Sequence, residues 1–115
     1  MKPQHYTVHK FGGSNLVAAT DFTTVAKRLT GKNEVVVVSA TRGTTAKLQH
    51  CLDVASQGES FKAGLQQLQH QHEAIIKSLL QGDDAQALLG GLQIDISQIH
   101  DVLHAISIIK NYSKQ

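Results

Sequence analysis

The sequence predicts an α/β protein: a βαβ unit of a parallel sheet at the front, followed by a mainly helical segment. Three observations predict it. An apolar stretch runs into Gly12-Gly13, four consecutive valines stand at Val35 to Val38, and after Ser39 the apolar residues recur at helical spacing. Strand, helix, strand in this order gives a parallel pair, with a right-handed crossover expected.

Tyr6 to Phe11 alternates loosely and ends at the paired glycines, which reads as a strand entering a tight turn. A helix is expected from about Thr20 to Leu29, capped by Thr20 or Asp21, whose side-chain oxygens can accept from orphan backbone N–H groups. Phe22, Val25, Ala26 and Leu29 form its apolar face, and Gly31 stops it. Glu34 to Ser39 carries the strongest strand signal. Valines that do not alternate predict burial on both faces, as in a parallel sheet covered by helices.

Thr45 to Ser56 is predicted as a helix with Leu48, Cys51, Leu52 and Ala55 on one side, ended at Gln57-Gly58. Ser60 can cap the next, from Phe61 to about Leu80, in which Leu65, Leu68, His72, Ile75 and Leu79 step by three and four residues. Gly82-Asp83-Asp84 breaks the pattern and opens a short helix that ends at Gly90-Gly91. A last helix is expected from about Ile94 to Ile109, with Ile96, Ile99, Leu103 and Ile106 inward, and Asn111 to Gln115 as a frayed tail. Two strands make a poor sheet by themselves. Another copy or further chain is expected to complete it, and the open edges predict a homo-oligomer.

Composition excludes several classes. The chain has 115 residues, 41% hydrophobic and 17% charged, with a formal net charge of +2. With no Trp, two Tyr and three Phe, it lacks an aromatic platform for single-stranded nucleic acid. Only Lys27 and Arg28 are adjacent basic residues, so no nucleic-acid partner is expected. The single cysteine, Cys51, excludes an intramolecular disulfide, points to a reducing compartment and suits a buried helix face. Met1 to His9 is polar, and the valine run is too short to span a bilayer, which predicts a cytoplasmic protein with no membrane partner.

Two loops carry the chemistry. Lys10-Phe11-Gly12-Gly13-Ser14 lies at a strand end, where glycines let the backbone approach an anion, the lysine adds a point charge and Ser14 a hydroxyl donor. That set suits phosphoryl transfer, which rests on positioning and charge neutralisation. The order is not that of a Walker loop, and the competing reading is a plain tight turn. Ser39-Ala40-Thr41-Arg42-Gly43-Thr44-Thr45 lies at the end of the valine strand. Ligands of open parallel sheets bind outside the carboxyl ends of strands, so the two loops should lie side by side. Here the competing reading is a cap, with Thr44 or Thr45 opening the next helix, and Arg42 as a solvated arginine.

Other features are structural in this reading. His100-Asp101-Val102-Leu103-His104 resembles H-E-x-x-H, but aspartate replaces the glutamate and a third ligand is missing, so no metal site is assigned. His70 is expected at the surface and His72 half-buried. Gln66, Gln67, Gln69 and Gln71 make a solvated face, and Asp83-Asp84 a helix start.

The strand ending in Lys10-Phe11-Gly12-Gly13-Ser14 and the valine strand ending in Ser39-Ala40, followed by Gly43 and Thr44, resemble the opening of aspartate kinases in the amino-acid kinase family. Val102-Leu103-His104-Ala105-Ile106-Ser107 is similar to the helical insert of those fused to homoserine dehydrogenase. The resemblance implies a partial amino-acid kinase fold over residues 1–115, with 1–56 as a βαβα core and 57–110 as a helical insert. It implies a catalytic Lys10 at the transferred phosphoryl group, and Lys10, Gly12, Gly13 and Ser14 binding the phosphates of ATP with Mg2+. Ser39, Thr44 and Thr45 would bind L-aspartate, whose β-carboxylate is phosphorylated on the way to lysine, threonine and methionine. Glutamate or acetylglutamate kinase is the neighbouring alternative, and an inactive oligomerising module the more distant one. Asn15 departs from the family's second small hydroxyl residue. The segment that supplies the family's substrate-binding glutamate, the nucleotide-binding half and the regulatory domains are not in these residues. The expectation is therefore an N-terminal piece or a truncated relative, inactive by itself.

Overall fold

The structure is a computed structural model that describes residues 5–113, without the side chains of Ser14, Tyr112 and Ser113. The chain divides into two compact units, one up to Gly43 and one from Thr44 onward.

The first unit contains strand β1 (Thr7–Phe11), a 3-10 turn (Gly13–Asn15), helix α1 (Ala19–Arg28) and strand β2 (Glu34–Val38). The strands pair in parallel, with Thr7 opposite Glu34 and Phe11 opposite Val38. Helix α1 starts before Thr20, and Asp21 serves it from inside the first turn. Its carboxylate reaches back to accept from the N–H groups of Val17 at 2.9 Å and Ala18 at 2.8 Å. Those two bonds, Ala18 first, hold the Asp21 carboxyl below its ordinary value. The helix ends earlier than Gly31 predicts: Leu29, its C-cap, is already extended, and Gly31, with φ of +82°, instead turns the chain toward β2. Glu34 then pins the corner: it accepts from the N–H groups of Thr30 at 2.7 Å and Gly31 at 2.6 Å, and lies 2.6 Å from His9 Nε2.

The expected two-sided burial of the valines does not occur. Val35 to Val38 are 42–58% exposed, and α1 has no buried residue. Neighbouring strands are only about 5 Å apart, so a two-strand ribbon offers a helix a narrow face, and no second helix of this unit covers the other side. Among the described residues of this unit only Phe11 and Leu16 are buried.

The second unit is three helices: α2 (Thr44–Ser56), α3 (Lys62–Leu79) and α4 (Gly82–Ser113). Cys51, Ala55, Phe61, Leu65, Ile96 and Leu103 form its core, with Val54, Leu92, Ile99 and Ile106 packed against it. The inward set expected for the last helix is thus correct. Leu52 and Leu79, expected on inner faces, are exposed. Ser60 is not the cap of α3: that position belongs to Phe61, and Ser60 Oγ only reaches the Lys62 N–H at 3.5 Å. Burying the Phe61 ring sets where the helix begins.

The largest correction concerns Gly90-Gly91. They do not end a helix; α4 runs unbroken from Gly82 through both and on past Asn111. Neither glycine has positive φ. Each glycine costs about 1 kcal/mol against alanine in a helix, and Leu92, Ile96, Ile99 and Leu103 packing on one continuous face outweighs that. Asn111 to Ser113 belong to the helix rather than a frayed tail, and residues 114–115 lie outside the described residues. Among the described residues no helix is long and apolar enough to cross a membrane.

Candidate functional site

Side chains alternate along β1, so Phe11 and Lys10 point to opposite faces. Phe11 turns inward, stacking with His9. Lys10 pairs in register with Val37 on the other, open face and is exposed. No ion pair or hydrogen bond ties its ammonium among the described residues. Such a lysine is free to meet an anion.

The turn after β1 is a 3-10 helix closed by the Asn15 N–H donating to the Gly12 carbonyl at 2.9 Å and the Leu16 N–H to Gly13 at 3.2 Å. The first N–H groups of any helical turn have no partner within it; here they belong to Gly13 and Ser14. Gly12 is extended, and a Cβ on it would meet nothing within 4 Å. Gly13 is the opposite case. A Cβ there would lie 3.2 Å from Ser39 Oγ and 3.3 Å from the Ala40 carbonyl oxygen.

The two loops are therefore in contact, as expected from their positions at the strand ends. Two backbone bonds lock them: the Ser39 N–H donates to Phe11 at 3.1 Å and the Arg42 N–H to Leu16 at 3.0 Å. Ser39 Oγ donates to the Ala40 carbonyl at 2.9 Å. Leu16 is the residue the sequence reading passed over. Only 2% exposed, it anchors the turn while its carbonyl holds the second loop. The first apolar residue behind a glycine-rich loop was the available signal.

Thr44 and Thr45 fall in the other unit as the first two residues of α2, so the helix starts where expected but the cap position itself falls on Gly43; Thr44 is half-buried and Thr45 exposed. Lys10, Gly12, Gly13, Ser14 and Ser39 are thus assembled on one edge of the first unit, and the two threonines open the second.

This edge fits the phosphates of ATP: an unpaired cation, open space at Gly12 and the leading N–H groups of a turn. It supplies no carboxylate for Mg2+. The acidic side chains of the first unit are Asp21 and Glu34, both held by backbone N–H groups. No cluster of three or more His, Cys, Asp or Glu exists among the described residues.

The chain is 31% identical over 117 aligned positions to the chloroplastic bifunctional aspartokinase/homoserine dehydrogenase 2 of Arabidopsis thaliana, covering 98% of this chain and 13% of that protein. It is 32% identical over 111 positions to the chloroplastic bifunctional aspartokinase/homoserine dehydrogenase 1 of Zea mays, covering 93% and 12%. This chain therefore spans about an eighth of the length of these curated relatives. The likeness runs through nearly the whole chain and supports an aspartokinase-related region. No family model matches the chain. No solved structure matches it either.

Two other grooves hold none of the predicted site residues. A groove of about 190 Å3 beside α1 is lined by Phe11, Asn15, Asp21, Thr24, Val25 and Arg28. Another of about 300 Å3 lies between α3 and α4, where Gln69 Nε2 donates to Gln93 Oε1 at 2.8 Å. His100 and His104 stack on each other at 5.9 Å, and the Phe61 ring meets His100 edge-on at 5.3 Å. They flank a packed face, as expected of them.

Proposed function

We propose that this chain is the phosphate-binding front of an aspartate kinase: it holds the phosphates of Mg-ATP for transfer to the β-carboxylate of L-aspartate. One observation carries the reading: Gly13 is pressed against Ser39 and Ala40, so the lysine-bearing loop and the serine loop form one edge at the carboxyl ends of both strands. Lys10 is assigned to the transferred phosphoryl group, where a point charge offsets the charge on its oxygens. The N–H groups of Gly13 and Ser14 are assigned to the neighbouring phosphates, with Ser39 on the amino-acid side. The likeness to bifunctional aspartokinases supports the choice of aspartate over glutamate or acetylglutamate as acceptor, and with it a place in the synthesis of lysine, threonine and methionine. The lone, buried Cys51 supports a reducing compartment such as the cytoplasm.

Titration calorimetry of ATP into the chain tests the reading. Binding at millimolar affinity or better is expected, with Lys10→Ala weakening it by about tenfold or more, the scale of one charge-assisted contact. In a longer polypeptide with turnover, Lys10→Ala is expected to lower the aspartate-dependent rate by about 10²-fold. No ATP binding, or binding indifferent to Lys10, overturns it. The separate compact helical unit then favours the other reading, an interaction module without catalysis.

A further inference from the structure

We infer that the groove between α3 and α4 is a binding site for an α-amino acid with a carboxamide side chain, of the glutamine class. The inference is independent of the kinase reading. Two contacts set how the helices face each other. The Phe61 ring meets His100 at one level, and Gln69 bonds Gln93 at another. Between those levels lies a groove of about 300 Å3, on the scale of small-molecule sites, which in bundles lie between helices. Its floor is apolar, with Leu65 and Ile96 both buried. Its rim is polar and largely unpaired. Among the described residues the Lys62 ammonium, the Gln66 amide and the Ser97 hydroxyl have no hydrogen bond or ion pair. Asp101 has only His100 Nδ1, at 3.8 Å.

The placement of these groups selects the ligand. Lys62 follows Phe61 and Asp101 follows His100, so a cation and an anion share one end of the groove without pairing to each other. A simple anion there would face Asp101, and a simple cation Lys62. A molecule with carboxylate and ammonium on one carbon meets both through charge-assisted hydrogen bonds. The other end is closed by Gln69 Nε2 donating to Gln93 Oε1 at 2.8 Å. That bond leaves Gln69 Oε1 as an acceptor and Gln93 Nε2 as a donor. A primary carboxamide offers the complementary pair. No charged residue lines that end, so a neutral polar terminus fits it better than a second carboxylate or ammonium. Lys62 and Gln69 are seven residues apart on α3, a rise of about 10 Å. Glutamine extends about 5 Å from its α-carbon to its carboxamide nitrogen, and a hydrogen bond of about 2.9 Å at each end spans the remainder. Its methylenes then lie over Leu65 and Ile96.

An NMR titration of the whole chain with L-glutamine tests the site. Saturable shifts are expected at the amides of Gln66, Gln69, Gln93 and Ser97, at millimolar affinity or better. Lys62→Met and Asp101→Asn are each expected to weaken binding by about tenfold or more, the scale of a hydrogen bond to a charged group. Helical circular dichroism should be unchanged, because both residues are exposed. If either variant loses helicity, two glutamine analogues make the same test on the unaltered chain. Glutaramic acid lacks the ammonium and 4-aminobutyramide the carboxylate, and each is expected to bind about tenfold more weakly or worse. L-norleucine keeps the head and the length without the carboxamide, and is expected to bind more weakly than glutamine. No saturable shift in the groove up to about 50 mM glutamine overturns the proposal. Norleucine binding as well as glutamine overturns it too, as does affinity indifferent to both head charges.

Discussion

Gly12 and Gly13 are identical in sequence and differ in what constrains them. Gly13 faces Ser39 Oγ and the Ala40 carbonyl at 3.2 and 3.3 Å from where a methyl would sit. Gly13→Ala must push the loops apart and is expected to destabilise the first unit by about 1–3 kcal/mol, the usual range for overpacking. Gly12 has φ of −78° and open space around it, so Gly12→Ala is expected to leave the melting temperature unchanged while weakening ATP binding. Melting and calorimetry on both variants check the split; equal effects on both readouts would remove the distinction. Glu34 adds a pH dependence. Desolvation pushes its carboxyl up, but the N–H groups of Gly31 and Thr30, with the His9 ring, outweigh that and hold it below the ordinary 4.5. A carboxyl lowered by folding contributes stability above its unfolded value and loses it as pH falls through the folded one. Acid below about 4.5 is therefore expected to loosen the corner, and Glu34→Gln to flatten that dependence. Amide exchange of Val35 to Val38 against pH measures it.

Elements whose cause is local were legible in the sequence. β1, β2, α2 and α3 fall within about two residues of their expected bounds, a common scatter at element ends, because apolar period, Gly31 and the Gln57-Gly58 stop act within a few residues of where they stand. What failed was the weighing of a local signal against a distant one. Gly90-Gly91 looked like a stop, yet a glycine ends a helix firmly only where the backbone takes positive φ, as Gly58 does after α2. At Gly90 the backbone stays right-handed and a Cβ would meet nothing within 4 Å. Gly90→Ala is expected to stabilise the helical unit by about 0.4–1 kcal/mol by removing freedom from the unfolded chain. Thermal melting followed at 222 nm should rise by a few degrees; a fall would mean that Gly90 is needed for a reason other than backbone freedom.

At the scale of the molecule, the sequence located the loop pair correctly but overestimated what surrounds it. The valine run reports the burial that strand is built for, while the structure reports the cover these residues can provide. Most of the inward set of the helices, Leu52 and Leu79 excepted, was legible for the converse reason, since α2, α3 and α4 supply one another's partners. This asymmetry sets an order of stability. The first unit buries Phe11 and Leu16 among its described residues, whereas the second buries Cys51, Ala55, Phe61, Leu65, Leu68, Ala85, Ile96 and Leu103. Burying such a side chain contributes about 1.5–3 kcal/mol for the larger ones, against a backbone entropy cost of about 1–2 kcal/mol for every ordered residue. Two buried residues offset the ordering of a βαβ unit poorly, and local opening follows the elements with fewest buried apolar contacts. Native-state hydrogen exchange is expected to find the β1, α1 and β2 amides exchanging well before the core amides of α2 to α4, and limited proteolysis to leave a resistant fragment beginning near Thr44. Saturating ATP is expected to slow exchange at Gly13, Ser14 and the flanking strand ends while leaving the core of α4 unchanged, because a ligand protects the unit that binds it. Uniform protection across both units would show that they open as one, and ATP protection confined to α4 would move the phosphate site out of the loop pair.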